Sequence, residues 1–279
     1  MTPWATLYPF IETLAVGVPR PLIDQQLFVV AREFCAKTLA NRRHVHLPFK
    51  VGAGSISAGD NALAYSGLEL EAGDVVVVRN AGGSRRNLSA RVLSFDAGVA
   101  MLDTRAEATV ANQVVSAPSY VVPVEDGEKL MEIHALTRRA DGVQLKDIPE
   151  DVLNDRQPGW RFELAPEPEA WTLDFYRRLY LFRAPDMAGQ GITADVVLTV
   201  EQGAIGIPDA LADEWGHVIA AGAAARLLMM GGSPWANGDV AMIQQQLYRD
   251  GLSDAKSVAR RGHMRSVRTA APQSFGGLR

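Results

Sequence analysis

The chain has 279 residues, of which 47% are hydrophobic and 22% charged, with a formal net charge of -4; this is the profile of a folded globular protein with room for a core in roughly one to three units. The acid excess argues against a chain whose main affinity is for phosphate backbones. The single cysteine, Cys35, excludes an internal disulfide and a multi-thiolate metal site, and it fits a reducing compartment.

Trp4, Leu7, Tyr8, Ile11 and Leu14 have helical spacing after Thr2-Pro3, and Pro9 is expected to kink or split that helix. Trp4, Glu12 and four prolines within the first thirty residues, with no basic segment leading into an apolar one, are not expected of a signal peptide. After a turn over Gly17 to Pro21, a stronger helix is predicted from Leu22 to about Asn41, with Leu27, Ala31, Phe34 and Thr38 on one face. From about residue 45 the pattern changes to short runs rich in Val, Tyr and Phe, separated by Gly, Pro, Asn and Asp, the signature of strands. Val75–Arg79 and Ser89–Ser94 flank Asn80-Ala81-Gly82-Gly83-Ser84, which reads as a hairpin loop, and Val99–Asp103 is a third strand. Further strands are predicted at Ser119–Val124, Lys129–Arg138, Trp160–Leu164, Trp171–Phe175, Leu179–Ala184 and Thr193–Val200.

The chain returns to helix at its end. Pro208 stands at a first helical position and Asp209 in the first turn, facing the positive end of the dipole. Leu211, Trp215, Val218, Gly222, Arg226 and Met229 form one face of a helix from about 208 to 230. Gly231-Gly232 ends it, and Ser233-Pro234 is expected to start a second helix, running to about 260. The Ala-rich stretch Ala220–Ala225 would let a neighbouring backbone approach closely. The longest apolar run, Val218 to Ala225, ends at Arg226, far short of the roughly 20 residues a bilayer requires. These readings give an α+β protein in which N- and C-terminal helices (1–45 and 205–265) form a helical bundle, with a long antiparallel β region (46–204) inserted between them. Within it, 62–115 is expected to close a small barrel or sandwich, and 266–279 to be an extended C-terminal arm.

Reactive motifs are few. Gly52-Ala53-Gly54 begins like a dinucleotide loop, but Ser57 stands where the third glycine belongs. His44 and His46 would share a strand face, yet two ligands do not make a metal site and no Asp, Glu or Cys is near in sequence. Cys35 lies beside Phe34 on an apolar face and reads as a structural thiol. Glu125-Asp126 and Glu150-Asp151 read as solvated turn carboxylates. Trp160, Trp171, Tyr176 and Tyr180 have the shape to stack on sugars, but in strands they more simply fill a core or an interface. No catalytic residue, cofactor site or metal site is assigned. The C-terminus is different: from Arg249 onward, seven basic residues (Arg249, Lys256, Arg260, Arg261, Arg265, Arg268, Arg279) face two acids (Asp250, Asp254), a local charge of +5. Such a segment calls for an acidic partner, with Phe275 and Leu278 as apolar anchors.

The Pro-rich stretch from Pro9 to Thr38 with Ala31-Arg32-Glu33-Phe34-Cys35-Ala36-Lys37-Thr38, then Pro158-Gly159-Trp160, Ile207-Pro208 to Trp215, the Ala-rich helix and Pro234-Trp235, resemble in order and spacing the head-to-tail adaptor (connector) proteins of tailed bacteriophages. Residues 55 to 115 depart from that pattern as an insertion. The resemblance implies a structural virion protein, not an enzyme. It would form a homo-oligomeric ring of twelve subunits below the portal protein, joined to the tail nozzle or tail tube protein. DNA would pass through its lumen without specific binding. The basic residues Arg260, Arg261, Arg265 and Arg268, with Phe275 and Leu278, would form a portal-binding arm, while Trp215, Ala221, Gly222, Ala225 and Trp235 would pack helices between subunits. It would sit in the neck of the virion, after assembly in the host cytoplasm, with no membrane association. The alternatives are another virion role (head completion, tail tube or anchoring of a tail fibre) and, in a different class, an enzyme or sugar-binding protein.

Overall fold

A computed structural model of the chain describes residues 1–174 and 178–267, with Arg85 and residues 261–267 as backbone only. β1 (Thr2–Pro3) leads into a 3-10 turn, Trp4–Leu7, and then α1 (Tyr8–Glu12). Pro9 lies in the first turn of α1, where a missing N–H breaks no helical bond, so the proline marks the split between the two. α2 (Arg20–Thr38) likewise carries Pro21 in its first turn, and it stops where Leu39 adopts a φ of 55°. Its buried residues, Ile23, Leu27, Val30, Ala31, Phe34, Cys35 and Thr38, recur at steps of three and four, one face of a helix.

Seven strands follow: β2 (Arg42–Leu47), β3 (Lys50–Ile56), β4 (Ala62–Ser66), β5 (Val75–Val78), β6 (Leu88–Asp96), β7 (Val99–Leu102) and β8 (Val110–Ala117). β3 to β8 form a closed barrel in the order β3-β4-β7-β6-β5-β8, which leaves no strand edge among them. Closure runs through β8, antiparallel both to β3 (Gly52 opposite Val115) and to β5 (Val77 opposite Ser116). The barrel is filled by Leu63, Val76, Val78, Val92, Leu102 and Val115, all at or near zero exposure. Its two strand glycines answer a steric demand: a Cβ on Gly52 would lie 2.2 Å from the Ser66 carbonyl, and one on Gly54 2.6 Å from Val115.

The chain continues through β9 (Ser119–Tyr120), β10 (Glu128–Arg138), β11 (Lys146–Asp147), α3 (Glu150–Arg156), a 3-10 turn (Trp160–Phe162), β12 (Leu164–Ala165), β13 (Ala170–Leu173), β14 (Leu179–Phe182), β15 (Ala184–Pro185), β16 (Ile192–Val200) and β17 (Gly206–Ile207). α4 (Asp209–Leu228) and α5 (Gly238–Val267) complete it. Other strands form a three-stranded sheet, β10-β16-β2, and a four-stranded one, β11-β13-β14-β9. The chain divides into two compact units: one of Met1–Arg43, Val124–Glu132 and the chain from Val197 onward, the other of His44–Pro123 and Ile133–Val196. In the first, α1, α2, α4 and α5 share an apolar core with Trp4, Val200 and Ile207.

The expected fold class, a helical bundle of terminal helices with an antiparallel β region inserted, is overturned. Among the described residues the protein is strand-rich, with seventeen strands against five α-helices, of which α1 and α3 have only 5 and 7 residues. Six strands close a barrel, and the pairs β11–β13 and β12–β15 are parallel. Local periodicity favoured the long terminal helices and gave no sign of strands that pair across sixty residues. Three smaller expectations change as well. Trp160–Phe162 is a 3-10 turn, not a strand; Glu150 and Asp151 open α3, where carboxylates meet the positive end of a helix dipole; and Ser266 and Val267, assigned to the extended arm, belong to α5.

Candidate functional site

Two surfaces and one buried node carry the polar and apolar groups on which a function can rest. The first surface is α5, a helix of 30 residues. Ala241, Gln244, Tyr248, Gly251 and Ala255 are buried on one side, at steps of three and four. One flank of that buried face carries Ile243, Leu247, Asp250, Asp254 and Val258, and Ile243, Leu247 and Val258 are 61%, 49% and 51% exposed; Met242, on the other flank, is 63% exposed. α5 thus exposes apolar side chains beside its buried face, interrupted by Asp250 and Asp254. Toward the C-terminal end of α5, Lys256 and Arg260 are exposed. Arg261 and Arg265 continue the helix, their side chains lying outside the description, while Arg268, Phe275 and Leu278 lie outside the described residues altogether.

The small-residue positions of α4 have a local role. Ala221, Gly222 and Ala225 are buried, and a Cβ on Gly222 would lie 2.8 Å from both Val30 of α2 and the Tyr248 ring of α5. Gly251 repeats the arrangement from the other helix, its Cβ position 2.5 Å from Val218. These residues therefore let α2, α4 and α5 of one chain approach each other closely. Burial pushes the Tyr248 phenol well above its usual range. Trp215 and Trp235 are only partly buried at the edge of the same core, with the Trp215 ring centroid 5.8 Å from that of Phe34. Arg226 pairs with Glu33, which also holds Lys37. At the start of α4, Asp209 accepts hydrogen bonds from the Thr2 hydroxyl (2.8 Å) and the chain amine (3.2 Å), and these hold its carboxyl below the usual range.

Sequence reading missed the second surface, a cleft in the barrel unit of about 1190 Å³ lined by the β5–β6 loop, Thr104, Glu107 and the segment Pro158–Phe162. A smaller cleft of about 370 Å³, containing Arg91, Asp103, Glu150, Arg161, Asp174 and Tyr180, shares Ser89 and Thr104 with it. The only sequence signal was the Gly82-Gly83-Ser84 loop, which was legible as a turn. Also unanticipated is a node around Asp74, which is fully buried. Its carboxylate accepts from Lys50 Nζ at 3.0 Å and from the Glu71 N–H at 3.0 Å, and Arg178 Nη1 lies 3.6 Å away. A buried carboxylate with two cations is held by those partners, and this one ties β3 to the segment before β14.

The remaining residues singled out from sequence have partners of their own. His44 and His46 both lie on the exposed side of β2, but His44 Nδ1 is 4.0 Å from Asp195, and His46 contacts the Ile192 carbonyl and Arg139, each at 3.2 Å. Among the described residues no group of three His, Cys, Asp or Glu side chains is placed to hold a metal ion. Cys35 is buried, and burial pushes its thiol up to about 12, far from a reactive thiolate. Trp160, Trp171 and Tyr180 are buried in the barrel unit, and Tyr176 lies outside the described residues. No helix among the described residues is long and apolar enough to cross a membrane. No protein-family model matches the chain, and no curated protein matches it.

Proposed function

We propose that this chain is a structural protein of a tailed-bacteriophage particle, a head-to-tail adaptor assembled as a ring of twelve copies between the portal protein and the tail nozzle or tail tube, with DNA passing through its lumen. The order and spacing of the segments from Pro9 to Thr38, Pro158 to Trp160, Ile207 to Trp215 and Pro234-Trp235 support it. The observation that carries the reading is α5, which exposes the apolar side chains of Met242, Ile243, Leu247 and Val258 while its end turns basic. Exposed apolar side chains of this kind are covered when copies associate, with Trp215 and Trp235 as further contacts. A run from Arg260 to Arg268, with Phe275 and Leu278 beyond it, has the charge to seat on an acidic portal surface. An overall net charge of -4 suits a lumen from which DNA must leave quickly.

The test is quantitative mass spectrometry with crosslinking on purified particles. A copy ratio to the portal protein near one, with crosslinks from residues 256–279 to the portal, is the expected result. A ratio far from one, or absence from the particle, removes the adaptor reading. A second reading is favoured by the outer face of the β6–β7 hairpin, where Leu93, Phe95, Val99 and Met101 are exposed. Those four side chains suit a protein that anchors another virion component such as a tail fibre, and crosslinks from that hairpin alone would support it.

A further inference from the structure

The joined clefts of the barrel unit form a groove with a built floor and walls. The loop from Asn80 to Asn87 is locked by its own bonds: Gly82 N–H to the Arg86 carbonyl (2.8 Å), Arg86 N–H to the Gly83 carbonyl (3.1 Å) and Asn80 N–H to Asn87 Oδ1 (3.1 Å). Asn87 Nδ2 donates to the Phe162 carbonyl at 2.7 Å, fixing the opposite wall to this loop. The Glu107 N–H donates to the Ala81 carbonyl at 3.0 Å, and the Glu107 carboxylate lies so close to Gly83 that a Cβ there would be 2.1 Å from Oε2. The Phe162 ring is 45% exposed at the wall.

We infer that this groove binds a neutral oligosaccharide. Three features select that ligand class. A polyol needs donors and acceptors mixed at close range and an apolar face for its C–H surface; here Ser84, Ser89, Thr104, Arg86 and Glu107 line the same cleft as the exposed Phe162. Among the described side chains neither the Arg86 guanidinium nor the Glu107 carboxylate forms an ion pair, and both residues are exposed. Charge balance argues against a polyanion: among the described side chains of both clefts, Arg86, Arg91 and Arg161 face Asp103, Glu107, Glu150 and Asp174, and a nucleic-acid groove would be lined by cations in excess. The volume, about 1190 Å³ with a further 370 Å³ adjoining, exceeds the roughly 300–1,000 Å³ of single small-molecule sites. It suits a chain of several sugar rings. The inference is independent of the adaptor reading, since neither α5 nor the C-terminal segment contributes to the groove.

The experiment uses the full-length protein in saturation-transfer NMR with chitotriose, maltotriose and cellotriose, beside an array of bacterial surface glycans and with a single-stranded oligonucleotide as polyanion control. At least one glycan is expected to bind, with Phe162→Ala weakening it about tenfold or more and Glu107→Gln about fivefold, as loss of a ring platform or of a charged acceptor does. Both side chains are exposed, so both variants should keep the wild-type circular dichroism and melting temperature. The inference is overturned if no glycan binds, if both variants bind as the wild type does, or if the oligonucleotide displaces the bound sugar.

Discussion

Tyr8 shows how a single side chain ties local sequence to pH behaviour. Its hydroxyl donates to Asp24 Oδ1 at 2.6 Å, joining α1 to α2, with the Arg20 guanidinium 5.6 Å from the ring centroid. The hydrogen bond to Asp24 is the main cause, burial the next, of a phenol raised to about 12, against an ordinary value near 10. Only the protonated phenol can donate, so the folded chain keeps this proton at a pH where the unfolded chain has lost it. The stabilisation is therefore complete below about pH 10 and disappears as the pH rises through about 12. The difference in ultraviolet absorbance between wild type and Tyr8→Phe isolates this titration from the other five tyrosines. It should lie near 12 and fall toward 10 in Asp24→Asn; a wild-type titration already near 10 would show that the bond does not hold in solution.

At the level of elements, what the sequence disclosed depended on how local the cause was. α2 was readable because its buried steps from Leu27 to Thr38 lie within one stretch of chain, although its start falls at Arg20 rather than Leu22, with Pro21 inside the first turn rather than in the turn before it. The β5–β6 hairpin was readable because Gly82 and Gly83 interrupt two valine- and serine-rich runs. β3 was hidden, since its glycines resembled the beginning of a phosphate loop, while their actual cause is the Ser66 carbonyl and the Val115 side chain pressing from distant strands. The start of α5 misled for a different reason. Ser233-Pro234 has the form of a cap, but the Ser233 hydroxyl donates to the Met230 carbonyl at 2.6 Å, closing the preceding turn, and Asn237 Oδ1 accepts the Val240 N–H at 3.2 Å. Asn237 is thus the N-cap, and Asn237→Ala should cost about 0.5–2 kcal/mol in urea unfolding. A loss below about 0.3 kcal/mol would show that the Asn237 side chain does not cap α5.

Across the whole molecule, the order of the chain constrains how it can fold. The unit that contains α2 is assembled from residues before Arg43, the short stretch Val124–Glu132 and the chain after Val197, so its core exists only after the last helix has been made. Val30 and Phe34 of α2 are at zero exposure because α4 and α5 cover them, and Ile219, Ala223, Leu227 and Tyr248 belong to the same cluster. Neither the inclusion of Val124–Glu132 in this unit nor the groove at Phe162 could be read from periodicity, because both arise from contacts between segments distant in sequence. A fragment ending at Val196 retains every strand of the barrel but uncovers the apolar face of α2, with Ile23, Leu27, Val30 and Phe34 facing water. Burying each such side chain contributes about 1.5–3 kcal/mol, so four of them, about 6–12 kcal/mol, are comparable with the whole stability of an ordinary domain, about 5–15 kcal/mol. The fragment should therefore bind a hydrophobic dye strongly and lose α2, seen as hydrogen-exchange protection absent from residues 20–38, while Lys50–Ala117 stays protected by its closed ladder. Full protection of residues 20–38 in that fragment would show that α2 draws its stability from somewhere other than α4 and α5.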